Sequence, residues 1–180
     1  ARIQRIQQVL DLYLGTRNFH NYTVGKQPTD PSAKRVIKSF TVTPDPADPS
    51  KPLRVHTPDG TEWLSLKVHG QSFMMHQIRK MVAMAALVVR CGRDPASLIP
   101  ESYSPTCKIA IPKAPGLGLL LERPIFDSYN RRIAQRDQTK NQIDFGKYDE
   151  QIDAFKREQI YNRIFKEEEE TNAYATFSPF

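Results

Sequence analysis

The sequence predicts an α+β fold, with a mostly antiparallel sheet flanked by helices. Apolar residues repeat at helical spacing in some segments and alternate at strand spacing in others, so both kinds of element are expected. The segments between the predicted strands are long, and one of them is a proline-rich loop. Such connections favour an antiparallel sheet with helices on one face over a parallel strand–helix–strand architecture.

The composition is typical of a globular domain. The chain has 180 residues, of which 39% are hydrophobic and 26% are charged, so it can bury a core and does not resemble a disordered chain. No apolar run approaches the roughly 20 residues that a membrane helix needs, and no membrane association is predicted. The first residues lack a secretory signal and an initiating Met, so we expect a longer parent chain.

Positive charge is concentrated in the first half of the chain. Residues 1–93 contain 14 Lys and Arg against 6 Asp and Glu, whereas residues 94–180 contain 12 against 14. A basic half fits a polyanion such as RNA or DNA, which it would bind by neutralising phosphates. The acidic run at 167–170 is interpreted as a solvated helix end, because adjacent like charges repel.

Neither a metal site nor hydrolytic chemistry is indicated. Cys91 and Cys107 form no CxxC pair, and their spacing to the histidines matches no metal-ligand pattern, so reduced thiols of an intracellular protein are expected. The histidines form no HExxH motif. His76 has no Asp, Ser or Cys partner nearby in sequence, which disfavours a catalytic triad.

The first third of the chain is predicted to contain a helix, a strand and a loop. Residues 2–14 carry apolar side chains at helical spacing, and Gly15 is suited to end that helix. Residues 35–43 are rich in β-branched residues and predict a strand. One face of this strand would carry Val36, Phe40 and Val42. Residues 44–60 contain five prolines and are interpreted as a peripheral loop.

A strand, a turn and a long helix are predicted next. Residues 62–70 alternate between apolar and polar side chains and predict one strand that ends at Gly70. The period becomes helical from Ser72, which is a candidate N-cap, and Gly92 is suited to close the helix. A short helix is predicted at 95–100. The apolar stripe of the long helix consists of Met74, Ile78, Met81, Val82, Ala85, Val88 and Val89.

The last third of the chain changes character. Residues 112–123 predict a turn that leads into a short apolar strand, residues 127–147 are polar, and residues 148–170 predict a helix. We therefore expect two domains, a main domain over 1–126 and a C-terminal helical extension over 127–180 that packs on it.

The segment HGQSFMMHQIRKM, residues 69–81, is the strongest candidate for chemistry. His76 and Arg79 are three residues apart and would share a helix face, with Lys80 beside them. Cations at the start of a helix add to the positive end of its dipole and attract a carboxylate or a phosphate. An ordinary solvent-exposed helix surface is the alternative interpretation.

Three aromatic residues lie in or beside predicted turns, namely Phe19, Tyr22 and Phe73. Next to basic groups such side chains can stack on RNA bases. Burial in the core is the alternative, and it is the commoner outcome for phenylalanine.

Three segments of the chain resemble blocks of the TruA-type tRNA pseudouridine synthases. They are GTRNFHNYT at 15–23, GQSFMMHQIRKMV at 70–82 and APGLGLLLE at 114–122, and their order and spacing also match. The resemblance covers residues 1–126 and is closest to the eukaryotic branch that modifies several tRNA positions. The segment AFKREQIYNRI at 154–164 is similar to the C-terminal helical extension of that branch.

The resemblance implies the C-terminal half of the pseudouridine synthase fold, in which two α+β halves share a long sheet and bind RNA in a basic cleft. Such an enzyme detaches uracil from its ribose and rejoins it through carbon, without a cofactor or a metal. The implied substrates are tRNA and additionally mRNA or snRNA, in the nucleus and, as a second compartment, the mitochondrion. The catalytic aspartate, in an Arg-Thr-Asp segment, and an active-site tyrosine belong to the other half.

Carried over to this chain, the resemblance assigns a catalytic role to Arg79, which matches the arginine that pairs with the catalytic aspartate. A carboxylate in a closed cleft needs a fixed cation to stay ionised and oriented. Phe73, assigned to packing, and His76 and Lys80, assigned to RNA contact or active-site support, complete this part of the predicted substrate site.

Two further segments are assigned to the substrate site by the resemblance. Gly116, Leu117 and Leu119 match the Gly-Leu-x-Leu turn whose apolar side chains line the base pocket. Phe19 and His20 match a loop near the cleft and are assigned to RNA contact.

One part of the family pattern is missing, because no Arg-Thr-Asp segment occurs in these residues. Asp94 follows an arginine but lies beyond the long helix, outside the family context. We therefore expect the chain to be inactive alone and to need the N-terminal half of its own parent.

A non-catalytic RNA-binding module is the main alternative, and a protein-interaction domain that uses the acidic tail is another. A missing half would also leave a sheet edge open, so self-association of the isolated chain is expected.

Overall fold

The computed structural model confirms the α+β prediction. It describes residues 2–45, 51, 53–57, 60–136 and 139–177. The chain divides into two compact units, Ala1–Ala114 and Pro115–Phe180, which are described separately below. All of the described strands lie in the first unit, and the second unit is helical. This division falls before the domain boundary predicted at residue 126.

The first unit contains three α-helices, two short 3-10 helices (His20–Tyr22 and Pro31–Ala33) and five strands in its described part. The α-helices are α1 (Arg2–Asp11), α2 (Gln77–Arg90) and α3 (Pro95–Glu101). The strands are β1 (Gly15–Asn18), β2 (Lys34–Val42), β3 (Arg54–His56), β4 (Glu62–Leu64) and β5 (Leu66–Gly70). Strands β1, β2 and β5 form an antiparallel sheet in that order, and β3 pairs with β4 in a separate two-stranded sheet.

Helices α1 and α2 and strand β2 supply most of the core of the first unit. The apolar stripe of α1 buries Val9 and Leu10, and β2 buries Ile37 and Phe40. The side of α2 that faces them contributes Met81, Met84, Ala85 and Val88. Each large apolar side chain removed from water in this way stabilises the fold by roughly 1.5–3 kcal/mol.

A cluster of aromatic residues lies at the centre of this core. Tyr13, Phe19, Tyr22 and Phe40 have at most 1% of their surface exposed. The ring centroids of Tyr13 and Tyr22 are 5.6 Å apart in an edge-to-face arrangement. Their hydroxyl groups have partners, since Tyr13 donates to the Met81 carbonyl at 3.1 Å and Tyr22 lies 2.7 Å from Ser102 Oγ. These rings therefore add apolar area without leaving a buried hydroxyl unsatisfied.

The buried tyrosines should make the first unit sensitive to alkaline pH. Burial raises the pKa of Tyr22 from 10.0 to about 12 and also raises the pKa of Tyr13. A raised pKa stabilises the fold fully below the unfolded pKa of about 10 and loses that contribution as the pH rises through the folded pKa. We expect the free energy of unfolding to fall between pH 10 and about pH 12.

Urea unfolding at several alkaline pH values measures this slope. Tyr22→Phe should make the slope shallower, because it removes a buried hydroxyl whose pKa is raised. The variant should still fold, since Ser102 Oγ keeps its hydrogen bond to the Ile99 carbonyl at 2.6 Å. Tyr148→Phe is the control, since 54% of that side chain is exposed, and it should leave the slope unchanged. Equal slopes for Tyr22→Phe and the unsubstituted chain would contradict the prediction.

Strand β2 confirms the strand predicted at 35–43, but the predicted face is partly wrong. A register shift between Ile37 and Ser39 marks a bulge. Before the bulge Ile37 points into the core, and after it Phe40 does, whereas Val36 is only half-buried. An extra residue in one strand moves the buried side chains from odd to even positions, which simple alternation cannot anticipate.

The predicted strand at 62–70 is two strands in two sheets. Strand β4 pairs with β3, and after Ser65 the chain continues as β5 beside β2. The loop predicted at 44–60 is wrong at strand β3, which forms within it. Residues 46–50, 52 and 58–59 of the predicted loop lie outside the described residues. Alternation continues through both strands, so the sequence pattern does not reveal the change of partner.

The short helix predicted at 95–100 is confirmed. Helix α3 has Pro95 at its first turn, and the Asp94 carboxylate accepts the Ala96 backbone N–H at 3.1 Å. Gly92 follows α2 with a φ of 65°, as its predicted closing role requires. These ends were predictable because caps and glycine conformations are local properties of the chain.

The second unit consists of α4 (Asp127–Arg136), α5 (Asp149–Phe155), α6 (Asn162–Thr171) and α7 (Ala173–Phe177) in its described part. A π-helical segment, Lys156–Tyr161, joins α5 to α6. The helix predicted at 148–170 is therefore confirmed, and it contains this π-helical segment. Helix α4 lies within the helical extension expected over 127–180, although its mostly polar sequence did not predict a separate helix there. The strand predicted within 112–123 does not form.

Ion pairs hold the start of the second unit to its helices. Lys156 Nζ lies 3.1 Å from Glu122 Oε1 and 2.6 Å from Asp153 Oδ1. The acidic run is largely exposed, but Glu168 accepts the Tyr174 backbone N–H at 3.0 Å and so caps α7. Glu170 Oε1 also lies 4.0 Å from Lys166 Nζ, so two of the four acids have a partner in the described residues.

Candidate active site

The candidate site lies at the turn between β5 and the start of α2. The helix predicted from Ser72 begins only at Gln77, and His76 caps it in a left-handed conformation with a φ of 62°. The buried Gln77 side chain accepts the Met74 backbone N–H at 3.0 Å, while the Gln77 N–H donates to the Met74 carbonyl at 3.1 Å. These two hydrogen bonds between Met74 and Gln77 stabilise the turn, so the helix begins at Gln77 and not at Ser72.

Gln77 is a structural residue of the site that the sequence interpretation missed. Its side chain is fully buried, and Nε2 donates to Met81 Sδ at 3.8 Å. A signal was present, because Gln77 lies four residues before Met81 and therefore on the apolar stripe. A polar residue on that stripe indicates a buried hydrogen-bonding role.

The backbone and side chain of Arg79 are both fixed. Its Nε donates to the Ala114 carbonyl at 2.6 Å, and the Ala114 N–H donates to the Arg79 carbonyl at 3.2 Å. Among the described residues, no carboxylate pairs with its terminal nitrogens. The guanidinium is therefore oriented by one donor and keeps two nitrogens available for a bidentate contact with a carboxylate.

Lys80 has a structural task in addition to its charge. Its Nζ donates to the carbonyls of Asn21 at 3.2 Å and Thr23 at 2.8 Å. Partial burial, and then the charge of Lys113, lower the pKa of this ammonium. Two of its three N–H groups thus hold the 19–23 loop, and one is left for another acceptor.

His76 lies among cations. Removal from water lowers the pKa of its imidazole first, and the charges of Lys113, Arg79 and Lys80 lower it further. A lowered pKa favours the neutral ring, which can offer one donor and one acceptor. Its assignment to RNA contact or active-site support stays a prediction.

The burial of Phe19 argues against its assignment to RNA contact. The side chain has no exposed surface, and its ring centroid lies 5.6 Å from that of Tyr22 and 5.4 Å from that of Tyr103. A ring enclosed by other rings has no face to offer a base. Phe19 therefore packs the core, which was the alternative interpretation from the sequence.

His20 is also engaged within the protein and not directed outwards. Only 6% of its surface is exposed. Its Nδ1 lies 3.2 Å from Asn18 Oδ1, and its Nε2 lies 3.2 Å from the Cys107 carbonyl. Both partners are acceptors, and a neutral ring can donate to one of them and so support this loop. The assignment of His20 to RNA contact stays a prediction.

Asn21 is a second structural residue that the sequence interpretation missed. It is buried, and its Nδ2 donates to the carbonyls of Ser102 at 2.8 Å and Cys107 at 2.9 Å. Its Oδ1 accepts the Ile109 backbone N–H at 3.1 Å. One amide side chain thus joins the 19–23 loop to the segment after α3, and its motif position was the available signal.

Phe73 packs beneath the end of β5. It is partly buried against the core. A Cβ atom at Gly70 would lie 2.7 Å from Phe73 Cζ and 3.1 Å from the Val36 carbonyl oxygen. Only glycine allows the strand and the ring to approach this closely, so Gly70 and Phe73 together shape the turn before His76.

The Gly-Leu-x-Leu segment belongs to the second unit. The Leu119 N–H donates to the Gly116 carbonyl at 3.0 Å, which closes a tight turn. Leu117 is half-buried, whereas 51% of Leu119 and 82% of Leu121 are exposed. The assignment of Gly116, Leu117 and Leu119 to the base pocket stays a prediction, and exposed leucines leave apolar surface for such a contact.

Two searches of the described residues gave negative results. Within 2–45, 60–136 and the other described ranges, no three His, Cys, Asp or Glu side chains lie close enough together to hold a metal ion. None of the described helices is both long and apolar enough to cross a membrane.

Comparisons with known proteins agree with the resemblance found in the sequence. A family model described as tRNA pseudouridine synthase matches residues 9–127. The tRNA pseudouridine synthase 1 of Yarrowia lipolytica is 48% identical over 179 residues, which are 99% of this chain and 32% of that protein. The Homo sapiens pseudouridylate synthase 1 homolog is 39% identical over 173 residues, which are 96% of this chain and 38% of that protein.

The share of each protein that these matches cover determines what they show about this chain. The chain spans about a third of the length of the curated relatives it matches. The family model, in contrast, covers more than half of the chain and includes Arg79, its turn and the Gly-Leu-x-Leu segment. This chain belongs to the tRNA pseudouridine synthase family.

Proposed function

We propose that the parent of this chain isomerises uridines in tRNA to pseudouridine, and that this segment supplies the arginine side of the active site. The observation that carries the proposal is the fixed guanidinium of Arg79, held by Ala114 with its terminal nitrogens available. The names of the relatives, which are tRNA pseudouridine synthases, support the reaction class.

The proposed role of Arg79 is to hold the catalytic aspartate of the Arg-Thr-Asp segment, which does not occur in this sequence. A carboxylate removed from water loses its charge unless a cation or several donors stabilise it. A guanidinium can donate two parallel hydrogen bonds to both oxygens of an aspartate, which keeps it ionised and aimed. The N-terminal half of the parent would supply this aspartate, and no cofactor or metal enters the proposed reaction.

The proposed RNA contacts come from the family motifs of each unit separately. His76 and Lys80 lie at the start of α2 beside Arg79, and their exposure is partial, so each retains surface for RNA. Leu117 and Leu119 would contact the target base. On the same resemblance we propose mRNA or snRNA as additional substrates, and the nucleus and mitochondrion as the sites of action.

The test compares the full-length parent with this 180-residue chain. Each is incubated with a uridine-containing tRNA transcript, and pseudouridine is read as carbodiimide-dependent stops of reverse transcription. We expect stops with the parent and none with the isolated chain, because the isolated chain has no Arg-Thr-Asp segment. A parent that modifies no tested RNA would refute the proposed activity.

A second candidate function is a non-catalytic RNA-binding module. The observation that favours it is the basic first half of the sequence, where residues 1–93 contain 14 Lys and Arg against 6 Asp and Glu. This alternative predicts salt-sensitive RNA binding by the chain and no loss of modification when Arg79 is replaced in the parent. A protein-interaction role of the acidic tail would instead predict no RNA affinity.

We also propose that the isolated chain self-associates through its three-stranded sheet. Strands β1 and β5 are the outer strands, and each has a free edge among the described residues. Unpaired backbone groups on such an edge can pair with another chain. Light scattering at high protein concentration should therefore give a mass above 20.6 kDa, and a strictly monomeric mass would count against this proposal.

A further inference from the structure

A lysine outside the assigned site residues lies beside Arg79. Lys113 precedes Ala114, and Ala114 is bonded to Arg79 through both its N–H and its carbonyl. Ala114 is 5% exposed, whereas the Lys113 side chain is exposed. The backbone thus fixes Lys113 next to the first turn of α2, and the residue is exposed.

Lys113 completes a cluster of like charges. After burial, its charge is the largest influence that lowers the pKa of His76, and it also lowers the pKa of Lys80. The pairing of Ala114 with Arg79 brings this part of the chain to the start of α2, and the lowered pKa values agree with a positive charge near both side chains. Repulsion among neighbouring cations costs free energy unless an anion offsets it.

Arg79 and Lys80, the other permanent cations of this cluster, already make hydrogen bonds within the protein. Arg79 is fixed for a carboxylate, and Lys80 uses two of its N–H groups on the 19–23 loop. Lys113 has no hydrogen bond or ion pair among the described residues. A single aspartate would neutralise one of the three permanent cations, so the cluster would still carry excess positive charge for a further anion.

We propose that Lys113 binds a backbone phosphate of the substrate RNA next to the nucleotide that is isomerised. The inference rests on the proposed function, which supplies a polyanion at this place. A phosphodiester fits the cluster, because a flexible ammonium contacts phosphate as a point charge without a fixed geometry. Exposure of Lys113 allows that contact without rearrangement of the core.

The salt dependence of RNA binding tests this contact directly. Each phosphate that a protein neutralises adds about 0.7–0.9 to the slope of log affinity against log salt concentration. The dissociation constant of the full-length parent for a tRNA transcript is measured over a series of salt concentrations, for the unsubstituted protein, Lys113→Ala and Lys113→Arg. Lys108→Ala is the matched control, since Lys108 is also exposed and without a described partner.

The expected result is a slope that falls by about one for Lys113→Ala, with the slope restored by Lys113→Arg and unchanged by Lys108→Ala. The affinity loss should be larger at low salt than at high salt. An unchanged slope for Lys113→Ala would overturn the proposal, even if affinity fell, because a structural defect does not remove one released counterion.

The same proteins separate this inference from the proposed function. Pseudouridine formation by the unsubstituted parent is measured in parallel with binding. If the parent is active but Lys113→Ala binds with an unchanged slope, the phosphate contact is refuted and the synthase function stands. If the parent is inactive while the slope still falls, the activity is refuted and the RNA contact of Lys113 stands.

Discussion

Replacing Arg79 with alanine in the full-length parent should lower the turnover of pseudouridine formation by about 100- to 4,000-fold. Removal of one partner of an enclosed ion pair costs about 3–5 kcal/mol, and each 1.4 kcal/mol of lost transition-state stabilisation is a factor of about ten in rate. The alanine variant also loses the Nε donor to the Ala114 carbonyl. Single-turnover kinetics with a tRNA transcript measure the effect.

Two further variants show whether the geometry of Arg79 matters as well as its charge. Arg79→Lys keeps the charge but cannot donate through Nε and two terminal nitrogens together, so its rate should lie between those of the alanine variant and the parent. Arg93→Ala removes an exposed arginine beyond the other end of α2 and should react at the parental rate. A parental rate for Arg79→Ala would exclude the proposed role.

The second large effect is expected from Phe19→Ala, which should lower the free energy of unfolding by about 3–5 kcal/mol. Phe19 is fully buried among aromatic rings, so alanine leaves a cavity that its neighbours can only partly fill. Denaturant unfolding of the chain measures the loss. Phe155→Ala is the control, because 59% of that side chain is exposed, and its cost should stay below about 1 kcal/mol.

A milder substitution at the same position separates packing from RNA contact. Phe19→Leu keeps most of the apolar volume, so the chain should remain folded and lose less stability than Phe19→Ala. If Phe19 only packs, the RNA affinity of the parent should be the same with leucine as with phenylalanine. A large affinity loss in a folded Phe19→Leu parent would restore the RNA-contact assignment.

Two residues that the resemblance assigns to RNA contact have structural roles in the described part of the chain. Phe19 and His20 belong to a motif of an RNA-modifying family, yet the structure uses both to build and support the loop. Motif membership reports that a position matters and does not separate contact with substrate from support of the contacting residue. Asn21 and Lys80 show the same ambiguity, since their hydrogen bonds join the loop to the rest of the unit.

The sequence by itself determined the α+β class, the family, strand β2, helix α3 and the glycine that follows α2. These features depend on local periodicity, capping residues and short motifs, all of which are written in neighbouring residues. Only the tertiary structure decided the bulge in β2, the division of residues 62–70 between two sheets and the late start of α2.

The reason is that these outcomes depend on contacts between distant residues. Gln77 can hold the turn before α2 because the core encloses it, and Arg79 is oriented by a carbonyl 35 positions further along the chain. Lys113 escaped notice in the sequence for the same cause, since nothing near it in the chain marks it as a neighbour of α2. Periodicity describes one segment at a time, whereas the site is assembled from several.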